Sequence, residues 1–125
     1  MPSKKILIVE DDSDQLRGLA VRLKASGYDV FGAPDGVTAI SMTRQEKPDL
    51  VLLDLGLPAG DGFFVMERIR DMIPFSTIPI IVLSARDSAG NKEKAHKAGA
   101  LAFFQKPVDS SLLVAAVRRV FAQLP

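Results

Sequence analysis

Four short apolar runs, rich in β-branched residues, constrain this chain more than any other feature. They are Ile6-Leu7-Ile8-Val9, Leu50-Val51-Leu52-Leu53, Ile78-Pro79-Ile80-Ile81-Val82-Leu83 and the weaker Leu101-Ala102-Phe103-Phe104. Runs of this length without polar alternation are strands covered on both faces, which is the mark of a parallel sheet. Tyr28-Asp29-Val30-Phe31 alternates less cleanly and predicts a further strand nearer an edge.

Helical periods fill the intervals. Leu16, Leu19, Ala20 and Leu23 follow i, i+3, i+4, i+7, with Asp12 or Ser13 able to cap the start and Gly27 able to end it. Ala39, Ile40 and Thr43 form a shorter stripe before Pro48. Phe63, Met66, Ile69 and Ile73 mark a third helix opened by Asp61-Gly62. Leu112, Leu113, Ala116, Val117 and Val120 mark the last, with Asp109 as its cap. The segment from Ser88 to Ala98 has only alanines on its apolar side. It should be the least firmly docked helix, because packing supplies most helical stability. Strand and helix thus alternate five times, which calls for right-handed crossovers and a doubly wound α/β sheet. With no repeat, linker or low-complexity tract, residues 1–125 are expected to form one domain.

Composition narrows the class. At 125 residues the chain has the size of one domain and needs no covalent staple. It has no cysteine, which excludes disulfides, thiolate metal sites and thiol nucleophiles and suits a reducing cytoplasm. Sixteen basic residues against fifteen acidic ones leave a formal charge of +1, so neither nucleic acid nor an anionic membrane is implied as a partner. No apolar run approaches the ~18–20 residues of a bilayer span, and Ile6 to Val9 is too short for a signal-peptide core.

Ligands of open α/β sheets bind outside the carboxyl ends of the strands, so the residues after each run matter most. The first run is followed by Glu10, Asp11 and Asp12, the second by Asp54, the third by Ser84, and the fourth, one residue on, by Lys106 and Pro107. Taken singly, each has an ordinary explanation: a helix cap, a turn acid, a hydroxyl bonded to local backbone, a solvated cation. Together they stand at corresponding ends of a sheet deduced without them. Clustered carboxylates raise one another's pKa, and a hard divalent cation such as Mg²⁺ relieves that repulsion. Ser84 and Lys106 are donors suited to an anion beside the metal, and a carboxylate can be a nucleophile toward phosphorus. The set reads as a Mg²⁺-dependent site in which Asp54 accepts a phosphoryl group.

The same residues resemble the receiver domain of two-component response regulators. The blocks are Ile6 to Asp12, Pro48 to Pro58 with Gly60-Asp61-Gly62, Ile80 to Ala85, Ala98-Gly99-Ala100 and Phe104-Gln105-Lys106-Pro107, in order along nearly the whole chain. The resemblance implies a flavodoxin-like (βα)5 three-layer sandwich with a five-stranded parallel sheet of order 2-1-3-4-5. It also implies a non-enzymatic, cytoplasmic signalling switch that catalyses only its own phosphorylation and dephosphorylation. By this resemblance Asp54 is the phosphoacceptor, and Glu10, Asp11, Asp54 and the carbonyl of Gly56 surround Mg²⁺, with Asp11 a direct ligand. Asp12 is a third acid carried by some members. Ser84 is the switch hydroxyl, Phe103 the switch aromatic and Lys106 the phosphate-binding lysine, joined to Pro107 by a cis bond. The implied partners are a histidine kinase or phosphotransfer protein, a downstream target or fused output domain, and a second copy in a phosphorylation-dependent homodimer. The responding surface is expected to be the helix over 88–98, the fifth strand and the fifth helix.

Three positions depart from the common pattern. Gly56 and Arg86 lie two residues after Asp54 and Ser84 respectively, and both flank the path of water to the acyl phosphate. Phe64 occupies a helix position that is more often polar and is expected as a half-buried ring. His96 is expected to be solvated. A hydrolase with an aspartyl nucleophile would need a general acid two residues after it, where Gly56 stands, and a phosphate-binding G-x-x-x-x-G-K-[ST] loop is absent. A degenerate receiver serving only as a docking scaffold is disfavoured by the complete acid, Asp, Ser and Lys set.

Overall fold

The computed structural model describes residues 3–56, 62–72, 78–85 and 89–123. Five strands, β1 (Lys5–Val9), β2 (Asp29–Ala33), β3 (Leu50–Asp54), β4 (Ile80–Ser84) and β5 (Ala102–Gln105), alternate with five helices. These are α1 (Ser13–Ala25), α2 (Gly36–Glu46), α3 (Gly62–Met72), α4 (Ala89–Lys97) and α5 (Ser110–Gln123). Every strand pair is parallel, and the order is β2-β1-β3-β4-β5. The chain winds outward in both directions from the β1–β3 junction, where crevices form in such sheets.

The unbroken apolar runs are explained by two cores, one on each face. Ile6, Ile8, Leu50, Leu52, Ile81 and Leu83 point to one side, where Leu23 of α1 and Leu113, Val117 and Val120 of α5 meet them. Leu7, Val9, Val51, Leu53, Ile80 and Val82 point to the other, against Ala39 of α2, Val65, Met66 and Ile69 of α3, and Ala95 of α4. Successive strand residues face opposite sides, so a strand covered twice must be apolar at every position.

Most departures from the sequence reading are at element ends. β2 runs from Asp29 to Ala33 because pairing with β1 continues as far as Val9 opposite Ala33. Tyr28 instead sets its ring against Phe121 of α5, with centroids 5.4 Å apart. β5 begins at Ala102. The Leu101 amide already bonds the Ile80 carbonyl, but its side chain is 57% exposed. In α5 the apolar stripe is narrower than the sequence suggests. Leu113, Val117 and Val120 (i, i+4, i+7) lie along the buried line, and Leu112, about 100° off it, is 62% exposed. Phe64 is 52% exposed, close to the half-buried ring expected there. Asp61, Ile73, Arg86 and Ser88, each given a part in the sequence reading, lie outside the described residues.

α4 is the most polar helix, and Ala95 is the one residue of it that is buried among those described. His96 is exposed. The light docking read from its alanines is therefore the arrangement found.

Candidate functional site

Parallel pairing brings the carboxyl ends of four strands to one level. Val9 stands opposite Leu53, Asp54 opposite Leu83, and Ser84 opposite Gln105. The next residues, Glu10 and Lys106, leave their strands beside Asp54 and Ser84. The backbone fixes their exits: the Glu10 amide donates to the Ala33 carbonyl at 3.0 Å, and the Lys106 amide to the Ser84 carbonyl at 2.7 Å. The Lys106–Pro107 bond is cis.

The side chains form a buried acidic cluster clamped by one cation. Glu10, Asp54 and Ser84 are 1%, 5% and 2% exposed. Lys106 Nζ lies 2.6 Å from Glu10 Oε1 and 3.3 Å from Asp54 Oδ2. Each carboxylate also accepts a backbone amide: Asp12 N–H donates to Glu10 Oε2 at 3.3 Å, and Gly56 N–H to Asp54 Oδ1 at 3.0 Å. Carboxylate oxygens of Glu10, Asp11 and Asp54 all lie within 4.8 Å of one another, and Asp11 is exposed. Three hard oxygen donors at that spacing, two of them buried, fit a small divalent cation.

Burial pushes the Glu10 carboxyl up to about 7, with the neighbouring Asp54 adding to the rise and Lys106 opposing it. Burial also disfavours the Lys106 ammonium. The hydrogen bond to Glu10 and the charges of Asp54 and Glu10 outweigh that and raise Lys106. The metal-free protein should therefore lose stability as pH rises from about 4.5 to about 7. Folded Glu10 keeps its proton in that window while the unfolded chain releases it, so the unfolded state gains with each step in pH. The expected loss is about 3 kcal/mol, read by urea unfolding in chelator across that range. Asp12 and Asp35, held below the usual carboxylate range first by amide bonds from Gln15 and Thr38, titrate beneath this window.

Asp12 is not one of the clustered acids. Its Oδ1 accepts the amides of Asp14 and Gln15, and its Oδ2 accepts the Gln15 side chain at 3.4 Å, which makes it the N-cap of α1. The D-x-x-Q spacing of a capping box was the available signal. The cap is one of the two the sequence offered; what sequence reasoning missed is the direct Lys106–Glu10 pair and the Gly56 amide on Asp54, which no local pattern announces. Phe103 is partly buried against the α2–α3–α4 core and borders a hollow of about 370 Å³ with His96, Ala100 and Leu101. It stands two strands away from Asp54, opposite Val82 of the intervening β4.

A family model described as the response regulator receiver domain matches residues 6–118. Among curated proteins, the response regulator PleD of Caulobacter vibrioides is 37% identical over 116 residues, covering 93% of this chain and 26% of PleD. The transcriptional regulatory protein CseB of Streptomyces coelicolor is 38% identical over 92% of this chain and 48% of its own length. The chain thus spans about a quarter of PleD and half of CseB. It spans 98% of Protein PilH of Pseudomonas aeruginosa, to which it is 32% identical. The crystal structure of a CheY-like receiver domain protein from Methanospirillum hungatei superposes with a TM-score of 0.90 at 27% identity, covering 98% of this chain and 96% of that one. A two-component response regulator from Clostridium difficile gives 0.91 at 26% identity, with 97% and 98% covered.

Proposed function

Given that this chain belongs to the response regulator receiver family, we propose that Asp54 is its phosphoacceptor and that the acid cluster at the sheet edge is its Mg²⁺ site. What supports this reading is one observation: Glu10, Asp11, Asp54 and Lys106, drawn from three strand ends, meet within ion-pair and metal-ligand reach. Glu10, Asp11, Asp54 and the Gly56 carbonyl would hold Mg²⁺, which supplies positive charge against the carboxylates and the incoming phosphoryl group.

In the proposed reaction an Asp54 carboxylate oxygen attacks phosphorus. The new O–P bond forms as the bond to the donor breaks, and the departing imidazole or small donor keeps that electron pair. Lys106, 3.3 Å from Asp54 Oδ2, donates to the transferred oxygens, exchanging a carboxylate partner for a phosphoryl one. Ser84, at the matching end of β4, is the proposed switch hydroxyl. The donor would be a phosphohistidine on a kinase or phosphotransfer protein, and the cytoplasm is the proposed compartment. No described helix is long and apolar enough to cross a membrane. The downstream target, whether separate or fused, and a phosphorylation-dependent homodimer remain part of the proposal.

The response is proposed to leave through Ser84 and Phe103 to α4, β5 and α5. A ring at the rim of an open hollow can alternate between inward and outward states whose difference is apolar burial, worth about 1.5–3 kcal/mol and thus a bias of ten- to a hundredfold. Beryllofluoride with Mg²⁺ should shift amide resonances at Phe103 and throughout α4 as well as around Asp54. Shifts confined to the neighbourhood of Asp54 would remove this output route.

Gly56 bears on how long the phosphoryl group lasts. A Cβ there would stand 3.5 Å from Asp54 Oδ1, an ordinary contact, so a side chain fits and would overhang the acceptor. Gly56→Met is expected to slow loss of label several-fold after donor removal, by shielding the acyl phosphate from water. An unchanged decay would mean that water arrives from another side.

A further inference from the structure

We propose that Arg70 tethers the C-terminal turn of α4 and is the fixed end about which that helix moves. Arg70 sits in the last turn of α3, where its guanidinium bridges two backbone carbonyls. Nη1 donates to Ile78 O at 2.7 Å and Nη2 to Gly99 O at 2.8 Å. Ile78 leads into β4, and Gly99 lies in the turn between α4 and β5, so one side chain joins three elements at the sheet edge opposite Asp54. Among the described residues no carboxylate pairs with it. Among the described residues its planar fork is spent on these two carbonyls, a geometry that a lysine's point charge cannot reproduce.

The turn is shaped to receive it. Gly99 has φ +104°, a conformation that L side chains rarely adopt, and a Cβ there would come within 3.2 Å of Arg70 Nε and 3.3 Å of Nη2. Around it the amides of Ala98, Gly99, Ala100 and Leu101 all bond to carbonyls, those of Lys94, His96, Ala95 and Ile80. The same turn is packed as well: Ala95 is buried, and Lys94 Nζ lies 4.3 Å from the Phe63 ring centroid. The helix is thus pinned at its C-terminal end, and Ala95 in that turn is its one buried residue among those described, which allows a swing about that end and opposes sliding.

This inference rests on the switch reading only in taking α4 as a responding element. Its test uses unphosphorylated protein, so a failed tether and a failed phosphoacceptor are separable. In native-state hydrogen exchange the wild-type amides of Ala98 to Leu101 should exchange more slowly than those of α4 nearer its start. Arg70→Gln should speed the Gly99, Ala100 and Leu101 amides roughly tenfold or more, the scale of a lost charge-assisted bond, and abolish that gradient. Amides of β1 and β3 should change little, and labelling by a small phosphodonor should stay at the wild-type rate. Arg70→Lys, which cannot span both carbonyls, should give the same pattern at smaller amplitude and serves if the Gln variant does not fold. Unchanged exchange from Gly99 to Leu101 in the folded variant overturns the proposal. So does an acceleration shared equally by β1 and β3, which would mark Arg70 as a general contributor to stability.

Discussion

Asp54→Asn should take up no label from a small phosphodonor such as acetyl phosphate, a loss of roughly 10³-fold or more, the scale on which removing a covalent nucleophile acts. The amide is nearly isosteric, so the fold should persist. Its oxygen can still accept the Gly56 amide that Asp54 Oδ1 accepts at 3.0 Å, but a carboxamide oxygen is a poor nucleophile toward phosphorus. The substitution also removes a charge that helps raise Glu10, so the decline in stability between pH 4.5 and 7 should become shallower. That second readout shows that the variant is folded and altered at the site even though it does not label. Acid-stable, base-labile label on the variant would place the acceptor elsewhere.

Lys106→Met should separate phosphorylation from response. The nucleophile remains, so label should still form, but beryllofluoride should no longer shift Phe103 or α4. The larger effect is on metal-free stability. Glu10 is 1% exposed and loses the ammonium at 2.6 Å, leaving a buried carboxylate without its cation. Breaking such a pair costs about 3–5 kcal/mol when the remaining charge cannot escape. Here it can, by protonation. Without Lys106, which lowers it, the Glu10 carboxyl should rise above its present value of about 7. The deficit should therefore be small near pH 5, where Glu10 is neutral in both proteins, and grow by about 1.4 kcal/mol by pH 8, one pH unit above the parent value. Adding Glu10→Gln should recover most of the loss, because it removes the stranded charge, and a double-mutant cycle measures the coupling. A deficit equal at pH 5 and pH 8 would show that Lys106 acts by packing alone.

Much of this protein could be read in one dimension. Ile6 to Val9, Leu50 to Leu53 and Ile80 to Leu83 are apolar at every position, and only a strand buried on both faces demands that. Once these three and two weaker strands alternate with helices, the residues following each run must collect at one edge, so Glu10, Asp11, Asp54, Ser84 and Lys106 were legible as a group before any distance was known. Element ends were less legible. Whether Leu101 or Leu112 is buried depends on where the neighbouring element stops, and a stripe of apolar residues can be wider than the face that covers it.

By itself the sequence determined the periods, the winding and the identity of the residues at the strand ends, because those follow from local covalent geometry and from which side chains avoid water. Only the tertiary structure decided partnership. Lys106 meets Glu10 across 96 positions of chain, Arg70 meets Gly99 across 29, and Asp12, adjacent to the clustered acids, turns away to cap α1. A hydrogen bond or ion pair forms over about 3 Å, and separations that small between distant residues are set by the register of the strands and the packing of the crossovers, which no local pattern encodes.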